Sequence, residues 1–99
     1  MTIEEVRDGD TIQLNVSGKI DTITAGDFQT AVLTSFQKGK ILVINFKDVV
    51  YISSSGLRAL VLGQKTAVAK GGSMKIININ KVVEDVFKVT GFDKMLTIE

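Results

Sequence analysis

The amino-acid sequence predicts an α/β fold with a mixed central sheet, in which an N-terminal β-hairpin comes first and helices follow the later strands. Apolar residues alternate with polar ones near the N-terminus, as in a strand with one buried face. Three later segments with helical apolar spacing are separated by runs rich in β-branched residues. Because 99 residues can enclose one hydrophobic core, we assign residues 1–99 to a single domain.

The first 20 residues predict the hairpin. The segment Arg7-Asp8-Gly9-Asp10 contains the glycine and aspartates that favour a tight turn. Ile12, Leu14 and Val16 then alternate with polar residues, which gives the second strand one apolar face. We expect this strand to end at Gly18.

The first helix and the central strand come next. From Thr22 to Lys38–Lys40, apolar residues recur at the spacing of a helix of about four turns: Ala25, Phe28, Val32 and Phe36. The following run, Ile41–Phe46, is almost continuously β-branched or aromatic. Such a run is typical of a strand covered on both faces, so we place it in the middle of the sheet.

Two more helices complete the predicted fold. Apolar residues recur at helical spacing from Leu57 to Val68, and Lys70–Gly72 closes this second helix. Met74–Ile79 reads as a strand, and Asn80 is a good N-cap for a third helix that ends at Gly91. Met95–Ile98 forms a last short strand or turn. Right-handed crossovers would make the later strands parallel.

Composition excludes several function classes. The chain has no cysteine and no histidine, so disulfides, thiolate chemistry and the commonest general base are absent. The net charge of +1 gives no strong field for nucleic acid, and no direct nucleic-acid partner is expected. The apolar runs are far shorter than the roughly 20 residues of a membrane span. Without a signal-peptide pattern, we expect a cytoplasmic protein.

The serine cluster Ser53-Ser54-Ser55-Gly56 is the main candidate site. It lies between the apolar run Val49–Ile52 and the second helix, where unpaired N–H groups and the helix dipole favour a negative charge. This place suits a phosphate group. Serine is also a favoured N-cap, and we expect Ser54 to have that structural role as well.

Two catalytic interpretations of the same residues are disfavoured. A nucleophile elbow requires glycine two positions before the serine and a histidine base, whereas Ile52 stands there and histidine is absent. No glycine-rich loop continues into Gly-Lys-Ser or Gly-Lys-Thr, so a P-loop is absent too. The sequence therefore predicts a protein that is not an enzyme and binds no cofactor.

Two motifs carry a resemblance to a known family. The stretch from Val49 to Arg58, which reads VVYISSSGLR, resembles the signature of the STAS domain of bacterial anti-sigma factor antagonists. Upstream, the stretch from Gly18 to Ala25, which reads GKIDTITA, is similar to the same family's Gly-x-Leu/Ile-Asp segment. The run VTGFDKML near the C-terminus resembles the family's ending, so the resemblance covers essentially the whole chain.

The resemblance assigns roles to particular residues. Aligning Gly56-Leu57 with the family motif places Ser54 at the phosphorylation site. Asp21 and, three positions later in the motif, Thr24 are implied to belong to the partner-binding surface, together with Ser53, Ser55 and Gly56. Many members carry aspartate where this chain has Ser53, which removes a carboxylate from that surface. The replacement also makes Ser53 a rival phosphate acceptor, and Ser55 is a second rival.

The resemblance also implies a function. An unphosphorylated chain would bind an anti-sigma factor that is also a GHKL-type serine kinase, and the kinase would release its sigma factor or equivalent target. Phosphorylation would end binding, and a PP2C-like serine phosphatase would reverse it. The alternative is an unphosphorylated STAS adaptor or scaffold subunit of a transporter or signalling complex. A small serine-dependent or nucleotide-dependent enzyme is the third interpretation.

Overall fold

The strands are hydrogen-bonded in the order in which they occur in the chain. The computed structural model describes all 99 residues. Its five strands form one mixed sheet in the order β1-β2-β3-β4-β5, with β1 antiparallel to β2 and every later pair parallel. The strands are β1 (Thr2–Asp8), β2 (Thr11–Ile20), β3 (Ile41–Ile52), β4 (Ser73–Ile77) and β5 (Thr97–Ile98). The helices are α1 (Ala25–Lys38), α2 (Ser54–Ala69) and α3 (Lys81–Thr90), and a 3₁₀ turn spans Phe92–Lys94.

All three helices pack on one face of the sheet. Right-handed crossovers between successive parallel strands place every connecting helix on the same side. One cluster of 22 buried residues joins alternate residues of the strands to the apolar stripes of the helices. Within it, the ring of Phe46 on β3 lies 6.2 Å from that of Phe28 on α1 and 6.4 Å from that of Phe87 on α3. The predicted position of β3 in the middle of the sheet is confirmed.

The other face of the sheet has no helix, and polar side chains connect its strands. Asn15 and Asn45 are register partners on β2 and β3, and the Asn45 Nδ2 donates to the Asn15 Oδ1 over 3.1 Å. Asn15 donates in turn to Glu4 on β1, and Asn78 after β4 donates to Asn45. The expectation that β3 is covered on both faces holds only in part: on the helix-free face Val43 is 8% exposed, whereas Ile41 at the start of the strand is 40% exposed.

Irregular pairing shifts the side chains of β3 near its end. The part of β3 from Asn45 to Ile52 contains two more residues than the part of β2 from Asn15 to Ile20 with which it pairs, so the register shifts twice. Gly18 lies between these shifts with a φ of +91°, a conformation that favours glycine. Gly18 therefore forms part of an irregularity within β2, and the expectation that it ends the strand is wrong because β2 continues to Ile20.

The predicted ends of α3 are confirmed. Asn80 caps the helix through its Oδ1, which accepts from the Val83 N–H over 2.9 Å. Gly91 follows the last helical residue with a φ of +77°, as expected for a left-handed C-terminal cap. No α-helix combines the length and the hydrophobicity that crossing a membrane requires.

Candidate functional site

The predicted site residues come together at the carboxyl ends of β2 and β3. Ile20 and Ile52 are register partners at these ends, and the Ser53 N–H donates to the Ile20 carbonyl over 2.7 Å. This hydrogen bond holds the start of α2 beside the loop that begins at Asp21. Carboxyl ends of neighbouring parallel strands are a common place for binding sites in α/β sheets. The serine cluster and the loop with Asp21 and Thr24 thus share one edge of the domain.

Ser53, rather than Ser54, caps α2. Ser53 has the extended backbone of an N-cap, and its Oγ accepts from the Gly56 N–H over 3.3 Å. The expectation that Ser54 is the N-cap is therefore wrong. The sequence allows either serine to cap, and the backbone hydrogen bond from Ser53 to Ile20 fixes which residue precedes the first helical turn.

Ser54 is the first residue of α2, and its side chain is exposed. It takes part in no side-chain hydrogen bond, so its hydroxyl is free of a structural role in the domain. The first turn of α2 contains no acidic residue, and the positive end of the helix dipole lies there. Ser55 is half-buried, which leaves Ser54 as the most accessible hydroxyl of the cluster.

Gly56 is buried and allows α2 to start close to the sheet. A Cβ at this position would lie 2.7 Å from side-chain atoms of both Ile20 and Ile52, which is closer than real contacts allow. The glycine thus packs the first turn of α2 directly against the ends of β2 and β3.

Asp21 and Thr24 organise the loop between β2 and α1. The Asp21 Oδ1 accepts from the N–H groups of Ile23 and Thr24, each over 3.0 Å, and from the Thr24 hydroxyl over 3.1 Å. The Thr24 Oγ1 also accepts from the Asp21 N–H, and its single proton is shared between the Asp21 Oδ1 and the Lys19 carbonyl. Mainly because the Thr24 N–H donates to the carboxylate, the pKa of Asp21 lies below its ordinary value of 3.8. The loop therefore holds a fixed negative charge beside the serine cluster.

Sequence reasoning missed three exposed residues around this edge. Ile23 at the tip of the loop is 89% exposed, and Tyr51 near the end of β3 is 44% exposed. Arg58 lies one turn after Ser54 and is also exposed. The helical spacing of Ser54 and Arg58 is visible in the sequence. The exposure of Ile23 and Tyr51 depends on the loop and on the irregular register of β3, which the apolar pattern does not reveal.

The comparisons with known proteins agree with this fold. The pattern of the STAS domain family matches residues 2–99. The chain therefore belongs to the STAS domain family. It is 32% identical over 87 residues to the anti-sigma-B factor antagonist of Bacillus subtilis (strain 168), a match that covers 88% of this chain and 80% of that protein. Within the family, the chain is thus similar to an anti-sigma factor antagonist.

Solved structures show the same fold. The anti-sigma factor antagonist SpoIIAA in its unphosphorylated form superimposes with a TM-score of 0.83 at 18% identity, over 99% of this chain and 88% of that one. The phosphorylated form of the Bacillus cell fate determinant SpoIIAA gives a TM-score of 0.76 at 17% identity, over 99% and 91%. At this identity the likeness concerns the fold alone, and it confirms the predicted α/β STAS architecture.

Proposed function

We propose that this chain is a cytoplasmic partner-switching regulator controlled by phosphorylation of Ser54. The unphosphorylated form binds an anti-sigma factor that is also a GHKL-type serine kinase, and the kinase releases its sigma factor or equivalent target. Phosphorylation of Ser54 abolishes this binding, and a PP2C-like phosphatase restores the free hydroxyl. The observation that supports the proposal most is the exposed Ser54 hydroxyl at the start of α2, without any structural hydrogen bond.

The division of roles between two serines explains how modification leaves the fold intact. Ser53 satisfies the Gly56 N–H, so the cap of α2 does not depend on the Ser54 hydroxyl. A phosphoserine adds a charge of about −1.5 to −2 at neutral pH, which the positive end of the helix dipole tolerates. Phosphorylation therefore changes the surface that a partner meets while the domain stays folded.

The fixed carboxylate of Asp21 contributes to the switch in this proposal. Its hydrogen bonds with Thr24 keep the group ionised on the edge that also carries Ser54. A phosphate at Ser54 adds a second negative charge to that edge. A partner surface that fits the carboxylate and a neutral hydroxyl would not fit this doubly negative edge, because the phosphate adds volume and a second negative charge. Its affinity for the chain would therefore fall. The exposed Ile23 supplies apolar contact area on the same loop.

Binding to the cognate GHKL kinase from the same genome tests the proposal. We expect Ser54→Ala to bind as tightly as the unmodified chain and to accept no phosphate from the kinase and ATP. Ser54→Asp should bind at least about tenfold more weakly, and Ser73→Asp serves as a control because Ser73 is an exposed serine at the opposite end of the parallel strands. Equal affinity of the Ser54→Ala and Ser54→Asp variants would refute the switch and favour the permanent adaptor. Phosphate mapped to Ser53 or Ser55 would reassign the acceptor.

A further inference from the structure

An apolar groove lies beside the exposed face of α2. It has a volume of about 290 Å³, and its lining consists of four apolar and two cationic side chains: Val61, Leu62, Phe92, Met95, Arg58 and Lys65. Leu62 is 38% exposed and Met95 is 51% exposed, which is high for large apolar side chains in a small domain. The groove is therefore bounded by α2 on one side and by the 3₁₀ turn and the residue after it on the other.

The groove carries positive charge. Arg58 and Lys65 take part in none of the four ion pairs of the domain, and no carboxylate lines the groove. The other lining residues carry no charge, so both cations are available to a carboxylate on another molecule. A partner that fills the groove must therefore present apolar side chains flanked by acidic ones.

The spacing of these groups matches a helix. Arg58 and Lys65 are seven residues apart on α2, which corresponds to about 10 Å along the helix axis. Positions i and i+7 of a second helix have the same separation, and positions i+3 and i+4 lie between them on the same face. Apolar residues at these middle positions would meet Leu62 and Met95, as in helix-in-groove recognition.

The groove continues the surface on which Ser54 lies. Ser54, Arg58, Val61 and Lys65 follow one another at steps of three and four residues, so they share one face of α2. We propose that the groove binds an acidic amphipathic helix of the partner protein, with carboxylates on Arg58 and Lys65 and apolar side chains between them. The groove would be a second contact with the partner whose binding Ser54 controls, so this inference rests on the proposed function.

A synthetic peptide tests the groove without the kinase. The probe is a helical peptide of about 14 residues with glutamate at positions i and i+7 and leucine at i+3 and i+4, and its match carries lysine in place of glutamate. In an NMR titration of the unphosphorylated, ¹⁵N-labelled chain, we expect the glutamate peptide to shift the amides that line the groove. The lysine peptide should leave them unchanged.

Matched variants separate the groove from general effects. The double variant Arg58→Glu/Lys65→Glu and the single variant Leu62→Ser should each bind the glutamate peptide about tenfold more weakly. The control variants Lys47→Glu and Ile41→Ser change the helix-free face of the sheet and should bind the peptide normally. Ile41→Ser is a matched control for Leu62→Ser because Ile41 is 40% exposed and Leu62 is 38% exposed. Absence of binding up to about 1 mM peptide, shifts outside the groove, or equal binding of the lysine peptide would overturn the inference. None of these outcomes affects the kinase-binding experiment with the Ser54 variants. Failure of the proposed peptide binding is therefore distinguishable from failure of the proposed phosphorylation switch.

Discussion

Replacing Ser53 and Ser54 separately by alanine tests whether capping and modification belong to different residues. Ser53→Ala removes the oxygen that accepts from the Gly56 N–H and leaves that donor without its partner. Loss of an N-cap costs about 1 kcal/mol. For a domain of this size, that change lowers the melting temperature by about 4–8 °C. We expect Ser53→Ala to show this decrease.

Ser54→Ala should change stability much less. The side chain is exposed and forms no hydrogen bond, so its removal leaves the free energy of unfolding within about 0.5 kcal/mol of the wild-type value. Alanine also has the higher helix propensity, which offsets part of any loss. Urea denaturation and thermal unfolding of both variants, monitored by circular dichroism, provide the measurement.

Asn80→Ala provides a positive control for the loss of a cap. Its Oδ1 accepts from the Val83 N–H, and its Nδ2 donates to the Val49 carbonyl over 2.6 Å, so the variant loses two hydrogen bonds. We expect a loss of about 2 kcal/mol. If Ser54→Ala destabilised the domain as much as Ser53→Ala, the assignment of the cap to Ser53 would be refuted. Ser53→Asp, which keeps a capping oxygen, should retain most of the stability.

Two further substitutions test the packing and the charge of the site. Gly56→Ala should destabilise the domain by about 1–3 kcal/mol in urea denaturation, because its Cβ would overlap Ile20 and Ile52; a wild-type midpoint would show that α2 can shift freely. Asp21→Asn should lower stability at neutral pH, since the lowered pKa of Asp21 favours the folded state while the carboxylate is ionised. The difference in stability between the wild type and Asp21→Asn should shrink as the pH falls below 3.8 and through the lower pKa of Asp21 in the folded state. A difference in stability that does not change with pH would contradict the negative charge assigned to Asp21.

Local sequence patterns predicted most elements of the fold. The alternation of Ile12, Leu14 and Val16 identified the buried face of β2, and Asn80 and Gly91 identified the ends of α3. The continuous run at the start of β3 was misleading, because β-branched residues favour a strand whether one face or both are covered. Which face the helices cover follows from the handedness of the crossovers, and no single segment of sequence contains that information.

The candidate site was located by its motif, but its internal arrangement was not. The sequence indicated that serines precede α2, yet the assignment of the cap depends on the hydrogen bond between Ser53 and Ile20, which are 33 positions apart in the chain. The loop role of Thr24 likewise depends on contacts with Asp21 and Lys19. Gly56 looked like a helix-entrance residue of the motif, and its close approach to two strand ends appears only in three dimensions.

The strand order has a consequence for the synthesis of the protein. Because every strand pairs with the strand that precedes it in the chain, each new strand finds its partner already made as the chain leaves the ribosome. No pairing has to wait for a distant C-terminal segment, and the short β5 only extends an edge that β4 has provided. Each parallel pair closes over a connection of about 20 residues that contains one helix, so the edge of a finished strand stays unpaired only until the next crossover is complete, which limits the time during which that edge is exposed to aggregation.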